Sequence, residues 1–197
     1  SINTPNSILL NNLKNCSNNP FDCFEKKFGY KPNLFMKPCE DGSSIDIFKI
    51  SNDEDYKKAK LNCLNLEREF IFEESIEGRE FTVTIIGNKC YPVIEIKTQN
   101  DFYDYDAKYI SDDTILDQAK LSDNELNIIN DIALRAFHAL KCSGWARVDI
   151  IQDINGNFNV IEINTVPGMT SHSCVPKSAS FMGLSYQDVI KEILSNV

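Results

Sequence analysis

Two short runs of alternating polar and apolar residues restrict the fold of this chain more than any other feature. They are Arg147-Val148-Asp149 and Glu162-Ile163-Asn164. Alternate residues of a strand share one face, so the two polar side chains of each run lie together. Asn155-Gly156 between the runs is typical of a two-residue hairpin turn. Such a turn places Asp149 opposite Glu162 and Arg147 opposite Asn164, whereas a three- or five-residue loop would shift the pairing by one residue.

This pairing brings two carboxylates together on one face of a sheet, where they repel each other and destabilise it unless something compensates. A divalent cation such as Mg²⁺ fits, because its preferred ligands are oxygens of carboxylates, waters and phosphates. Asn164 adds a neutral oxygen, and Arg147 adds a cation for a developing anion. The alternative is a solvated sheet face on which Arg147 neutralises the acids. On the opposite face we expect ordinary core, made of Val148, Ile150, Ile161 and Ile163.

The first part of the chain, residues 1–76, has the pattern of a small α+β unit. Asn19-Pro20 indicates the start of a helix and Gly29 its end. Ser51 and Glu54 form a capping box that predicts a second helix through about Leu66. Short apolar runs predict strands at residues 34–36 and 70–72.

The second part, residues 77–197, begins with two predicted strands, 81–86 and 91–96, joined at Gly87-Asn88. The polar stretch 108–123 is predicted to be a long loop, which suits a lid. A helix follows, with one apolar face. The residues of that face are Leu126, Ile129, Ala133, Ala136, Phe137 and Leu140. Pro176 is expected to begin a further helix, and Ser185 with Asp188 to cap the last one.

The segment 165–176 is rich in hydroxyl groups and leads into a predicted helix N-terminus. Free backbone N–H groups and the helix dipole favour an anion there, so a substrate carboxylate is a reasonable ligand. The alternative is a serine-rich loop that binds nothing.

Composition excludes several classes of protein. The net charge of −9 argues against nucleic-acid binding. No apolar run is long enough to span a membrane, so we expect no membrane partner. The seven cysteines include no C-x-x-C pair, which argues against a zinc site or a disulfide framework and favours free thiols.

Three stretches in order resemble those of D-alanine–D-alanine ligases, members of the ATP-grasp superfamily. They are Phe102-Tyr103-Asp104-Tyr105-Asp106-Ala107-Lys108-Tyr109, then Gly144-Trp145-Ala146-Arg147-Val148-Asp149, then residues 162–173. The resemblance implies an α+β, ATP-grasp fold with two α+β subdomains, residues 1–76 and 77–197, and the nucleotide between them. It also implies ATP-dependent ligation of two D-alanines through an acyl phosphate, for peptidoglycan precursor synthesis in the bacterial cytoplasm.

The same resemblance implies roles for individual residues. Lys37 and Lys108 would bind the phosphates of ATP. Glu73 and Ile76 would bind the adenine, and Glu80 would bind the ribose. Magnesium or manganese, as two ions, would be held by Asp149, Glu162 and Asn164. The tetrahedral intermediate would be stabilised by Arg147 and the Gly168 backbone. The carboxylate of the second D-alanine would be bound by Ser173 and Cys174, and the lid would be closed with the help of Ser43 and Tyr109.

The sequence also departs from the family pattern. Asp46 stands where glycine is usual, and Asp117-Gln118-Ala119 replaces the common Cys-Pro-Ala of the lid. The family's N-terminal domain is missing, so we expect this chain to be inactive alone and the full-length protein to be a possible homodimer. Two alternatives are a D-alanine–D-lactate ligase, which Tyr109 disfavours, and a nucleotide-binding module without catalysis.

Overall fold

A computed structural model describes residues 1–10, 19–40, 46–63, 68–98 and 114–197 of the chain. The described residues group into two compact units. Residues 5–76 belong to an N-terminal unit, and residues 1–4, 77–98 and 114–197 belong to a C-terminal unit. Each unit has its own β-sheet and its own apolar core.

The N-terminal unit contains a four-stranded antiparallel sheet with the strand order β1-β4-β2-β3. The strands are β1 (Ser7–Leu10), β2 (Leu34–Pro38), β3 (Phe48–Ile50) and β4 (Phe70–Glu74). Two helices accompany them, α1 (Pro20–Phe28) and α2 (Asp53–Cys63). The strands predicted at 34–36 and 70–72 are thereby confirmed.

Strict alternation along β2 and β4 gives this sheet two different faces. Leu34, Met36, Phe70 and Phe72 are fully buried in one core with side chains of both helices. Phe35 and Lys37 on β2, with Glu73 and Ile71 opposite them on β4, are half-buried on the other face. The helices therefore cover one face and leave charged side chains on the second.

Local capping chemistry determines where α1 begins and ends. The Asn19 side chain accepts a hydrogen bond from the Phe21 N–H, and Pro20 occupies the first turn. Gly29 ends the helix in the left-handed conformation, with φ of 86°, and its N–H donates to the Glu25 carbonyl. Both predicted ends of α1 are confirmed.

The predicted capping box at the start of α2 is wrong. Asn52, rather than Ser51, caps the helix: its Oδ1 accepts from the N–H groups of Glu54 and Asp55 at 2.9 and 3.0 Å. The Ser51 N–H donates instead to the Asp55 carboxylate at 3.1 Å. An asparagine side chain can reach both amides from the position directly before the helix, so it takes the place that serine was expected to fill.

The backbone explains why glycine is expected at position 46. Asp46 has a φ of 56°, in the left-handed region that most residues avoid. Aspartate tolerates this conformation better than most other residues. Its carboxylate also lies 3.6 Å from the Arg68 guanidinium.

The C-terminal unit contains a six-stranded antiparallel sheet with the order β10-β9-β5-β7-β8, and a short strand β6 that also pairs with β5. The strands are β5 (Gly78–Ile86), β6 (Lys89–Cys90), β7 (Ile94–Lys97), β8 (Ile115–Gln118), β9 (Trp145–Asp153) and β10 (Phe158–Asn164). The helices are α3 (Asp123–Ala139), α4 (Cys174–Ser180) and α5 (Tyr186–Leu194).

Helices pack on both faces of this sheet. The larger core joins one face to α3, through residues such as Phe81, Val148 and Phe137. Ile2 packs against the same core, and the Asn3 carbonyl accepts from the Val160 N–H at 2.9 Å, which ties residues 1–4 to this unit. The opposite face carries a smaller core with α4 and α5.

Several boundaries in this unit differ from those predicted. The stretch 91–96 is not one strand, because Tyr91 to Val93 separate β6 from β7. The described end of the predicted lid loop contains β8, which pairs with β7. Helix α4 starts at Cys174, two residues before Pro176. Leu126 on α3 and Leu140 directly after it are 38% and 67% exposed, so the apolar face is shorter than expected.

One expectation from composition agrees with the structure. Every cysteine that the structure describes is a free thiol. Among the described helices, α3 is the longest, and neither it nor another is apolar enough to cross a membrane.

The N-terminus of α3 provides a test of its capping box. The Ser122 Oγ accepts from the Glu125 N–H, and the Glu125 carboxylate accepts from the Ser122 hydroxyl and N–H at 2.7 and 2.8 Å. These hydrogen bonds lower the pKa of Glu125 to about 2. We expect Ser122→Ala to destabilise the protein by ~1 kcal/mol in urea unfolding at neutral pH.

The capping box should lose its effect in acid. A carboxyl group with a lowered pKa stabilises the fold above its ordinary pKa of 4.5 and loses that effect as the pH falls towards about 2. The difference between wild type and Ser122→Ala should therefore shrink over this range. Ser195→Ala, which removes only a bond to the Glu192 carbonyl at 2.9 Å, is the control. An equal loss in both variants would contradict the assignment.

Candidate active site

The hairpin of β9 and β10 turns through three residues. The Asp153 N–H donates to the Asn157 carbonyl at 2.9 Å, and the Gly156 N–H donates to the Asp153 carbonyl at 2.9 Å. Gly156 has a φ of 85°. This is a type I turn followed by a left-handed residue, the usual three-residue hairpin loop. The predicted two-residue turn is wrong.

The predicted pairing of the acidic residues is nevertheless confirmed. Next to the loop, Val160 lies opposite Ile150, a register that would not bring the acids together. A β-bulge between Val160 and Glu162 then shifts the pairing by one residue. Beyond it, Glu162 lies opposite Asp149 and Asn164 lies opposite Arg147.

The bulge also decides which side chains face the core. Regular alternation would place Phe158, Val160 and Glu162 on one face. The bulge separates them, so Phe158 and Val160 are buried against α3 while Glu162 and Asn164 lie on the opposite face. Ile161, expected in the core, is the extra residue of the bulge and is only half-buried.

Two cross-strand rows on β5, β9 and β10 form the polar part of this face, which we call the acidic face. One row is Thr82, Asp149 and Glu162; the other is Thr84, Arg147 and Asn164. Thr82 and Asp149 are 1% and 6% exposed, whereas Glu162 is exposed. The face is therefore dry at its centre and open at β10.

An ion pair between Arg147 and Asp149 dominates the acidic face. Arg147 Nε lies 2.8 Å from Oδ1 and Nη2 lies 2.7 Å from Oδ2, so the guanidinium binds both oxygens. Burial lowers the pKa of Arg147. The charge of Asp149 and its hydrogen bonds raise this pKa, as do the charges of Cys174 and Glu162 more weakly, and the net shift is upward. Arg147 thus neutralises Asp149, as the alternative interpretation required, but the pair is buried rather than solvated.

The donor set of this face fits a hard divalent cation. Asp149 and Glu162 provide carboxylate oxygens, and Asn164 provides an amide oxygen one row away. Oxygen ligands of this kind, completed by water and phosphate, are what Mg²⁺ uses. Within the described ranges, three or more His, Cys, Asp or Glu side chains do not meet in a group that could hold a metal. A cation here would therefore depend on oxygens from a substrate or solvent.

The loop after β10 places the predicted substrate residues together. Ser173 occupies the N-cap of α4, yet its hydroxyl does not cap the helix. Its Oγ accepts from the Thr170 N–H at 3.0 Å and lies 2.9 Å from Thr170 Oγ1. Cys174 is buried at the first helical position. A Cβ added to Gly168 would lie 3.0 Å from Ser173 Oγ, so a side chain there would crowd the loop.

The predicted nucleotide residues lie in both units. In the N-terminal unit, Lys37 and Glu73 form an ion pair and both are mostly buried. Ile76 is half-buried, two residues after the end of β4. In the C-terminal unit, Glu80 lies on β5 between Ile96 and Ile151.

Some predicted residues lie outside the described residues, and one contact was missed. Ser43, Lys108 and Tyr109 belong to the segments that the structure leaves out. Thr82 was not predicted, although its hydroxyl lies 2.6 Å from Asp149 Oδ1. Its position two residues after Glu80 in a strand was the only signal in the sequence, and the partner is 67 positions away.

Removing the Arg147 guanidinium should lower the free energy of unfolding. We expect Arg147→Met to destabilise the protein by ~3 kcal/mol in urea unfolding, because Asp149 would remain buried without its positive counter-charge. Asp149→Asn in the same background should restore most of the loss, because the uncompensated charge is removed.

Arg79→Met is the control for that experiment. Arg79 pairs with Glu95 at 2.9 Å in the same sheet, but its side chain is 40% exposed. Its loss should cost about 1 kcal/mol or less. Failure of Asp149→Asn to rescue Arg147→Met would show that charge is not the cause.

Comparison with known proteins gives a family match over almost the whole chain. The D-ala D-ala ligase C-terminus family matches residues 2–195. D-alanine–D-alanine ligases from Mannheimia succiniciproducens and Marinomonas sp. are each 40% identical, over 82% and 89% of this chain. These matches span 53% and 56% of the relatives, so the chain corresponds to about half of their length.

Solved structures give the same result. The D-alanine–D-alanine ligase from Bacillus anthracis complexed with ATP is 28% identical, with a TM-score of 0.79 over 98% of this chain and 60% of its own. The VanG D-Ala:D-Ser ligase from Enterococcus faecalis is also 28% identical, with a TM-score of 0.80 over 98% of this chain and 57% of its own. The expected ATP-grasp fold is confirmed. The chain belongs to the D-alanine–D-alanine ligase C-terminus family.

Proposed function

We propose that this chain supplies the ATP- and magnesium-binding part of a D-alanine–D-alanine ligase that makes peptidoglycan precursors in the bacterial cytosol. The observation that carries the proposal is the pairing of Asp149 with Glu162 beside Arg147 and Asn164 on one sheet face. Curated relatives at 40% identity bear the name of this ligase, which supports the dipeptide product. We also propose that the boundary between the two ATP-grasp subdomains lies between residues 76 and 77, where the chain passes from one compact unit to the other.

The reaction has two steps in this proposal. The carboxylate of the first D-alanine attacks the γ-phosphate of ATP, which gives an acyl phosphate and ADP. The amine of the second D-alanine then attacks the acyl carbon, and the tetrahedral intermediate collapses with loss of phosphate and a proton. A divalent cation, Mg²⁺ or Mn²⁺, neutralises charge on the transferred phosphoryl group when it is bound.

The acidic face would hold that cation. Asp149 and Glu162 lie opposite each other and carry the charge, and Asn164 adds an amide oxygen. The sheet fixes the two strands, so these side chains are in position before a cation or nucleotide binds. Two ions, as expected from the family, require further oxygens from the nucleotide.

Arg147 would change partners during the reaction. Its guanidinium is committed to Asp149 through two hydrogen bonds. It can leave that buried carboxylate only when another positive charge replaces it, because an unpaired buried charge is costly. Cation binding and the availability of Arg147 for the oxyanion of the intermediate are therefore coupled.

We assign the nucleotide contacts to the residues expected from the family. Lys37 would bind phosphate, Glu73 and Ile76 the adenine, and Glu80 the ribose. Lys37 and Glu73 form an ion pair, so the proposed phosphate and adenine residues lie next to each other. Lys108, Ser43 and Tyr109 keep their proposed roles at the phosphates and in lid closure.

The second D-alanine would be bound near the loop after β10. The Ser173 hydroxyl is held by Thr170 and does not cap α4. It is therefore held in a fixed position, from which its hydroxyl proton can be donated to a substrate carboxylate. We assign that carboxylate to Ser173 and the Cys174 backbone, and the oxyanion to Arg147 and the Gly168 backbone.

The first test of this proposal removes one carboxylate at a time. In the full-length protein, Asp149→Asn and Glu162→Gln should each lower D-alanine-dependent phosphate release by at least ~100-fold, because a metal ligand is lost. Calorimetry should show weaker binding of nucleotide at a fixed Mg²⁺ concentration. Circular dichroism should show an unchanged fold.

Glu95→Gln is the matched control for the carboxylate variants. Glu95 lies in the same sheet and pairs with Arg79, but it lies opposite Phe81, on the face that carries the α3 core. Its loss should leave Mg²⁺ dependence unchanged. Near-wild-type turnover in Glu162→Gln would contradict the cation site.

A second test separates phosphate from nucleoside. Lys37→Met should weaken ATP binding by about tenfold or more, since a charge-assisted hydrogen bond contributes ~1.5–3 kcal/mol. Binding of adenosine should change much less. Lys58→Met, which removes a surface lysine paired with Glu54 at 2.9 Å, is the control. Equal losses for ATP and adenosine would place Lys37 away from the phosphates.

A further inference from the structure

Thr82 makes a short hydrogen bond to the central carboxylate of the acidic face. Its Oγ1 lies 2.6 Å from Asp149 Oδ1, whereas the Val148 carbonyl is 3.5 Å away. Both side chains are buried. A hydroxyl that donates to a charged oxygen in a dry environment makes one of the stronger hydrogen bonds of a protein. The carboxylate is the better acceptor, so the hydroxyl orientation is fixed on it.

Thr84 shows that this contact does not follow from strand geometry alone. It lies two residues along β5, on the same face and opposite Arg147. Its Oγ1 is buried and has no hydrogen-bond partner among the residues that the structure describes. The two threonines have the same strand, face and burial, and differ in what the hydroxyl contacts. They form a natural pair for comparison.

The chemistry of the two donors to Asp149 differs. Arg147 Nε also binds Oδ1, but the guanidinium carries a positive charge that competes with a cation for the carboxylate. The Thr82 hydroxyl is neutral, so it can orient the carboxylate without neutralising it. When Arg147 turns to another anion, the bond from Thr82 to Oδ1 can persist. A metal-ligating carboxylate is typically oriented by such an outer partner.

We propose that Thr82 is a positioning residue, whose hydroxyl holds the Asp149 carboxylate in the orientation that binds the divalent cation. This rests on the proposed function of the acidic face. Thr82 acts through Asp149, so its loss should raise the Mg²⁺ concentration that ADP binding requires and leave the affinity of the nucleotide site itself unchanged. Loss of an outer hydrogen bond of this type usually weakens metal binding 10- to 100-fold.

The test compares Thr82→Val, Thr82→Ser and Thr84→Val in the full-length protein. ADP binding is measured by calorimetry over a series of Mg²⁺ concentrations, and the melting temperature is measured in EDTA and in Mg²⁺-ADP. Thr82→Val should raise the half-saturating Mg²⁺ concentration by about tenfold, with ADP affinity at saturating Mg²⁺ close to that of wild type. Thr82→Ser keeps the hydroxyl and should stay within about threefold of wild type.

Thr84→Val should leave the Mg²⁺ dependence unchanged, and its melting temperature in EDTA should be equal to or above that of wild type, since it removes a buried hydroxyl without a described partner. If Thr82→Val does not fold, Thr82→Ala removes the same hydroxyl without branching at Cβ and replaces it in the comparison.

The outcomes separate this proposal from the proposed function. Wild-type protein whose ADP binding is independent of Mg²⁺ would overturn both. If wild type binds ADP in a Mg²⁺-dependent manner and Thr82→Val shows the same Mg²⁺ dependence, only the role of Thr82 would be overturned. A larger defect in Thr82→Ser than in Thr82→Val would also overturn it, because packing of the methyl group would then be the cause.

Discussion

The ion pair between Arg147 and Asp149 allows acidic side chains to lie on a partly buried face of a β-sheet. A buried carboxylate costs several kcal/mol unless it is paired and hydrogen-bonded. Here the guanidinium binds both oxygens, and Thr82 adds a neutral donor. Glu162 lies directly opposite and adds a like charge. The chain thus supplies its own counter-charge to the buried carboxylate.

The opposite face of the sheet keeps this arrangement in place. Alternation along β9 sends Val148 and Ile150 into the core with α3 and leaves Arg147 and Asp149 on the other side. Burial of the apolar pair therefore fixes the position of the polar pair. Since Thr82 lies opposite Asp149 on β5, strands distant in sequence are held in one register by the same core. A rigid sheet is a better support for such a site than a loop.

Features that depend on a few neighbouring residues could be predicted from the sequence, and those that depend on distant partners could not. The caps at Asn19 and Gly29 follow from local chemistry, as does that at Ser185. Strand β8 has only four residues and no alternation of apolar and polar side chains, so its identity comes from pairing with β7. The bulge at Ile161 has no signature in composition. The acids were paired correctly because a wrong turn length and a missed bulge cancel in the count of residues.

The bulge has a consequence for how the length of this hairpin can vary among relatives. Because Ile161 is the extra residue, a chain lacking it could continue the ladder from Val160 directly to Glu162 with every later side chain on its present face. Loss of Ile163 instead would carry Asn164 to the apolar side. Loss of one residue is therefore tolerable at the bulge itself, whereas loss of one beyond it would reverse the faces, so natural length differences should fall at the bulge rather than after Glu162.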